Sequence, residues 1–119
     1  MRIAAGLALD TALIVLFAAI GRRNHAEAGG LTDILATAWP FLVGMAAGWL
    51  ISLAIFRRAP LYVPEGVPVW LSAVALGMLL RGATGEGTAF SFIIVATLFL
   101  GAAILGWRWA STLTARRRA

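Results

Sequence analysis

The chain has no cysteine and no lysine, and it has a single histidine, His25. The missing thiols exclude disulfides, thiolate metal sites and cysteine nucleophiles. One imidazole without further nitrogen or sulfur ligands makes a poor metal centre, so no metal is expected. Charge is scarce too, at 13% of residues against roughly 25% in soluble domains. No activated nucleophile or paired-carboxylate hydrolase pattern is visible. The segment Gly82-Ala83-Thr84-Gly85-Glu86-Gly87 lacks the lysine of a phosphate loop and reads as a turn. The expectation is a protein that is not an enzyme and needs no cofactor.

What the chain has in quantity is apolar surface. It is 119 residues long and 61% hydrophobic, with a mean hydropathy of +0.91. A soluble chain this short cannot build a core large enough for that surface. A lipid bilayer as solvent removes the conflict. About 20 apolar residues span a bilayer core as a helix, and four such stretches occur, at roughly 3–20, 31–56, 66–81 and 89–107. Thr32 is a candidate N-cap for the second. Pro60, Pro64 and Pro68 argue against a regular third helix before Gly66, with Pro68 suited to its first turn. The expected fold is all-α: one domain, 1–119, forming a bundle of four transmembrane helices with a basic tail at 108–119.

The net charge of +5 comes from arginine, placed in pairs and triplets at the ends of apolar runs. That is the anchoring pattern of a membrane protein, and nucleic acid is not expected as a partner. Four spans put both termini and the middle loop on one side, with Arg2, Arg57, Arg58, Arg116, Arg117 and Arg118. The other side has Arg22, Arg23 and Arg81. Both termini are therefore expected in the cytoplasm. The alanine- and glycine-rich composition suggests a GC-rich bacterial genome, hence the bacterial inner membrane, with the basic tail meeting anionic lipid headgroups. Arg2, the apolar core and Ala26-Glu27-Ala28 resemble a signal peptide. Asp10 inside that core and the Arg22-Arg23 pair argue against cleavage.

Asp10 is the only charge between Ile3 and Ile20. A carboxylate at mid-bilayer costs roughly 2.5–3.5 kcal/mol on insertion scales and marks a functional site by default. Eight positions separate Asp10 from Arg2, and eight separate Arg108 from Arg116. At 1.5 Å per residue both charges lie roughly 12 Å inside the flanking arginines, on antiparallel helices entering from one side. Asp10 and Arg108 are thus candidates for an intramembrane ion pair. Arg108 shares a helical stripe with Phe90, Ile94, Thr97, Gly101 and Leu105, which adds Thr97 to the candidate polar site. In the alternative, Trp107 and Trp109 mark the lipid interface and Arg108 snorkels to headgroups.

On the second span Asp33, Thr37, Phe41, Gly44, Gly48 and Ser52 form one stripe, and Gly44-Met45-Ala46-Ala47-Gly48 is a GxxxG packing motif. Gly77 and Gly101 are expected to serve packing on the third and fourth spans. Pro40 lies well inside the second span and should weaken or kink it. Near the opposite surface Arg22, His25, Asp33 and Arg81 form a candidate polar cluster, in which Arg81 can reach Asp33. The opening of the second span, Thr37-Ala38-Trp39-Pro40-Phe41, faintly echoes Thr88-Ala89-Phe90-Ser91-Phe92.

Lined up together, several of these residues resemble one family along most of the chain. They are Asp10, Phe17 with Gly21-Arg22, His25, Trp39-Pro40-Phe41 with Gly44, Gly77 with Arg81, Phe92 with Val95, and Gly106-Trp107-Arg108. The chain resembles the small four-span bacterial membrane proteins of the domain-of-unknown-function family numbered thirty fifty-four. The resemblance implies an integral membrane protein and supplies no catalytic or ligand residues. In architecture alone the chain is also similar to small multidrug exporters, which use a first-span carboxylate, but Leu7-Ala8-Leu9-Asp10-Thr11 does not carry their motif. Two functional classes remain open. One is a small transporter or channel subunit of unknown substrate that uses Asp10. The other is a structural or interaction protein whose charges only fix helix packing. A homo-oligomer is expected, because four short helices enclose little space.

Overall fold

The computed structural model describes residues 2–23 and 30–118. It contains four helices in chain order, α1 (Ile3–Arg23), α2 (Leu31–Phe56), α3 (Val63–Ala83) and α4 (Phe90–Arg118), and no strand among the described residues. All four are long and apolar enough to cross a membrane. The bundle measures 49 × 26 × 23 Å, longer than the roughly 30 Å of a bilayer core.

Each helix buries one stripe. On α1 this is Gly6, Asp10, Ile14, Phe17 and Ala18, spaced so that every fourth residue returns to the same face. On α4 it is Ala96, Leu100, Ile104 and Arg108. Of the expected α4 stripe, Gly101 and Arg108 are buried and Thr97 and Leu105 half-buried, whereas its first two members face outward. Phe90 is 76% exposed and Ile94 is exposed too, because that row turns outward before the helix meets its neighbours.

The start of α1, the α2–α3 connection and the end of α4 gather at one end, here the basal end. There Gly6 lies against Leu61 and Trp107. At the other, distal end, Phe17 is the hub of an aromatic cluster. Its ring centroid is 5.5 Å from Phe41, 5.8 Å from Phe92 and 5.4 Å from Phe99. Phe41 in turn fills the space beside Gly77.

Helix ends differ from the sequence expectation in instructive ways. Gly30, not Thr32, caps α2, with φ 81° and ψ −150°, a conformation open to glycine. Pro64 sits at the first positions of α3, where no N–H is required, so the helix begins at Val63 instead of Gly66. Pro68 then falls inside the helix. Pro40 is buried within α2, which runs through it undivided. The helix of α4 carries on through most of the basic segment that was expected to be a tail.

The tightest contact is between α2 and α3. A Cβ added at Gly44 would lie 2.6 Å from the Ser72 carbonyl oxygen and 2.9 Å from the Ala73 Cα. One at Gly48 would lie 2.6 Å from the Val69 Cα. Backbone stands against backbone, as small residues permit in membranes. The Ser72 hydroxyl uses this closeness to donate to the Gly44 carbonyl at 2.8 Å. Replacing Gly44 or Gly48 by Leu is therefore expected to cost about 3 kcal/mol or more, since backbone cannot step aside as a side chain can. A Cβ added at Gly106 would meet nothing within 4 Å, so Gly106→Ala should change stability by no more than about 1 kcal/mol. Unfolding by SDS titration in mixed micelles checks both.

Candidate functional site

Asp10 and Arg108 meet at the basal end, and neither has any exposed surface. The guanidinium grips the carboxylate through two parallel bonds, Nη1 to Oδ1 at 2.9 Å and Nη2 to Oδ2 at 2.7 Å. Two indoles complete the coordination. Trp49 Nε1 donates to Oδ2 and Trp107 Nε1 to Oδ1, each at 2.8 Å. A carboxylate has about four lone-pair sites, and here four N–H groups fill them. Arg108 makes four bonds as well, since its Nε also donates to the Pro60 carbonyl and Nη1 to the Ile104 carbonyl, both at 2.8 Å. Its guanidinium carbon also stands 4.3 Å from the centroid of the Trp107 ring.

Every element contributes to this arrangement. α1 brings Asp10, α2 brings Trp49, the α2–α3 connection brings the Pro60 carbonyl, and α4 brings Trp107, Arg108 and Ile104. α3 contributes by having no side chain at Gly66, where a Cβ would lie 2.6 Å from Arg108 Cδ. The connection is shaped by Arg57, whose left-handed φ of 62° ends α2 while its N–H still bonds the Leu53 carbonyl at 2.9 Å. That turn lets Pro60 present its carbonyl inward.

Thr97 is not part of the site. It lies eleven residues from Arg108, roughly 16 Å along the helix, and its hydroxyl bonds the Ile93 carbonyl at 2.7 Å. Its carbonyl accepts from Trp70 Nε1 at 2.9 Å, and the Trp70 ring lies over Gly101. Thr97 and Gly101 thus belong to the α3–α4 packing.

A second buried acid was missed. Glu65 sits in the first turn of α3, with its side chain 1% exposed. Its Oε2 takes a bond from Arg58 Nε at 3.0 Å, while the Arg58 side chain is 61% exposed. Glu65 Oε1 is buried with no hydrogen-bond partner among the described residues. The Glu65 backbone carbonyl accepts from the Ser52 hydroxyl at 2.9 Å, which ties this turn to α2. The readable signal was an acid directly after Pro64, a pairing typical of a first helical turn.

Of the distal polar cluster, His25, the 26–28 segment and the Arg22 side chain lie outside the described residues. Asp33 accepts the Thr37 hydroxyl through its backbone carbonyl at 3.1 Å. Arg81 donates from Nε to the Gly87 carbonyl at 3.1 Å, and its guanidinium carbon stands 4.6 Å from the Phe92 ring centroid. Arg81 also borders a half-open cleft of about 340 Å³, whose walls include Phe17, Ile20, Glu86, Ser91, Phe92 and Phe99. Neither Asp10 nor Arg108 lines it. Among the described residues no group of three or more metal-ligating side chains comes together.

The basal arrangement makes a quantitative prediction. Asp10→Asn or Arg108→Gln alone leaves a buried partner stranded and should cost about 3–5 kcal/mol. The double substitution should cost less than the sum, by on the order of 2 kcal/mol. The same SDS titration gives all three values, and strict additivity would reject the coupling.

Comparison with curated proteins and with solved structures gave no match. The family model described as "Protein of unknown function (DUF3054)" matches residues 7–111, a stretch that holds both members of the ion pair, and the chain belongs to that family.

Proposed function

We propose that this protein is a non-enzymatic, multi-pass component of the bacterial inner membrane, whose intramembrane charges hold its helices together. In this reading Asp10 is a structural anchor and carries neither a proton nor a cation across the bilayer. The supporting observation is the state of its carboxylate: both oxygens are saturated by Arg108, Trp49 and Trp107, without any exposed surface. A transport site needs a carboxylate that a substrate can reach. Here four hydrogen bonds would have to break first, two of them to a guanidinium, and bonds to charged groups are worth about 1.5–3 kcal/mol each.

The protein then acts through its surfaces. The lipid-facing sides can meet partner helices, including a second copy of the chain, and the basic end of α4 can meet anionic headgroups. The competing reading, a small transporter or channel subunit, requires Asp10 to be released from Arg108 during a cycle. Reconstituted vesicles separate the two. Proton and cation flux through wild type should equal that of empty vesicles, and Asp10→Asn should change nothing. Flux above that baseline in wild type and lost in Asp10→Asn would overturn the proposal.

The absence of cysteine gives a clean test of orientation. Single cysteines placed at Ala115 and at Gly85, both exposed, are expected to react with a membrane-impermeant maleimide from opposite sides. In whole cells Gly85→Cys should label and Ala115→Cys should not. The reverse pattern would invert the assignment.

A further inference from the structure

Two arginines, Arg57 and Arg58, come directly after the second span, and neither side chain bonds the Asp10–Arg108 pair. Arg57 is the one non-glycine residue with a left-handed backbone among the described residues, at φ 62°. Glycine adopts that conformation readily, whereas a β-carbon strains it. The position nevertheless carries an arginine, whose side chain is exposed and bonded to no described residue.

Arg58 is held from beneath. Glu65 Oε2 takes its Nε at 3.0 Å, and its guanidinium carbon stands 5.3 Å from the centroid of the exposed Tyr62 ring. Its terminal nitrogens, Nη1 and Nη2, make no hydrogen bond among the described residues, and the side chain is 61% exposed. A guanidinium anchored through Nε keeps its terminal N–H groups in one fixed plane, ready for an oxyanion.

The surrounding chemistry selects the ligand. Two guanidiniums stand against one carboxylate, so an anion is attracted. The Glu65 side chain is 1% exposed, so an incoming ammonium cannot reach it and would meet only arginine. A phosphate without an ammonium beside it fits both conditions. The span ends at Phe56, which puts the arginines at the depth where phospholipid headgroups begin. Ile55 and Phe56, exposed just inside them, offer apolar surface to acyl chains, which a free phosphate does not have.

We infer that the α2–α3 connection binds the headgroup of an anionic phospholipid. Its phosphate lies on the terminal nitrogens of Arg58, with Arg57 as the second positive charge and Glu65 holding Arg58 in place. This site lies on a different element from the basic end of α4. It does not depend on the role proposed for the Asp10–Arg108 pair.

Native mass spectrometry of the detergent-solubilised protein tests the assignment with phosphatidylglycerol and phosphatidylethanolamine of identical acyl chains. Wild type is expected to retain phosphatidylglycerol at least about tenfold better. The double variant Arg58→Gln with Glu65→Gln leaves the net charge unchanged and strands no buried acid. It should lower that preference by about fivefold. Arg57→Gly suits the left-handed backbone, so the fold is kept, and it should lower the preference by a similar factor. Unfolding by SDS titration verifies that each variant is folded. A wild-type preference in the double variant would mean attraction by net charge alone and would overturn the site. A wild-type preference in Arg57→Gly, or equal retention of the two lipids by wild type, would overturn it as well. Inorganic phosphate at millimolar concentration should not displace the lipid; displacement would assign the site to a free anion and overturn the lipid assignment.

Discussion

The structure depends on a carboxylate and a guanidinium being removed from water together, with the carboxylate's acceptors filled and four of the guanidinium's N–H groups bonded. Either charge alone in a bilayer interior costs several kcal/mol. Joined through two parallel bonds they form a neutral unit of fixed orientation. The two indoles then fill the remaining carboxylate acceptors, and the Pro60 and Ile104 carbonyls accept two further N–H groups of the guanidinium. Because these partners come from α1, α2, α4 and the α2–α3 connection, geometry at one point constrains the whole basal end. A one-residue slip of α4 would turn Arg108 by about 100° and detach it.

The two ends of the bundle use different physics. The basal end is polar and enclosed, and its central carboxylate is saturated. The distal end is aromatic, held by Phe17 and its neighbours through contacts without strong direction. Between them the α2–α3 pair is a rigid spine, because Gly44 and Gly48 bring backbone against backbone. α1 and α4 are pinned to that spine by the ion pair at one end and by the phenylalanines at the other. A cleft between them can open only where the directional bonds are absent, and it is found at the aromatic end.

Much of this was legible in the amino-acid order. The spans followed from hydropathy, and matching distances to Arg2 and Arg116 along antiparallel helices made Asp10 and Arg108 candidates for a pair, with a snorkelling Arg108 as the alternative that the structure removes. The glycine stripe of α2 was visible through its spacing. Other features were not. Trp107 entered only in the alternative reading, as an interfacial marker, because sequence shows that an indole is amphipathic but not which partner its N–H finds. Trp49 attracted no attention, because its distance in sequence from Asp10 carries no periodic signal. Glu65 escaped because Pro60, Pro64 and Pro68 suggested a loop, whereas Pro64 starts the helix that buries it. The α4 stripe is buried at Gly101 and Arg108 and exposed at Phe90 and Ile94, because the 3.6-residue period gives the spacing of a face but leaves its direction to the neighbouring helices.

The order in which the lock can form adds a constraint on how the chain enters its membrane. Asp10 arrives in the first helix and Arg108 in the last, 98 positions apart. Until α4 is present, the carboxylate has one of its four donors, the Trp49 indole on α2. The α1–α2 hairpin is thus an incomplete structure with a buried acid only partly satisfied, and the three remaining bonds come with Trp107 and Arg108. α3 prepares for that step without any bond of its own to Asp10. The turn before it presents the Pro60 carbonyl, and Gly66 leaves room for the Arg108 stem. Stability of the basal end is therefore concentrated in the final helix to arrive. A chain lacking that helix would keep its α2–α3 spine and hold α1 through the Trp49 bond and the Phe17–Phe41 contact, without the ion pair.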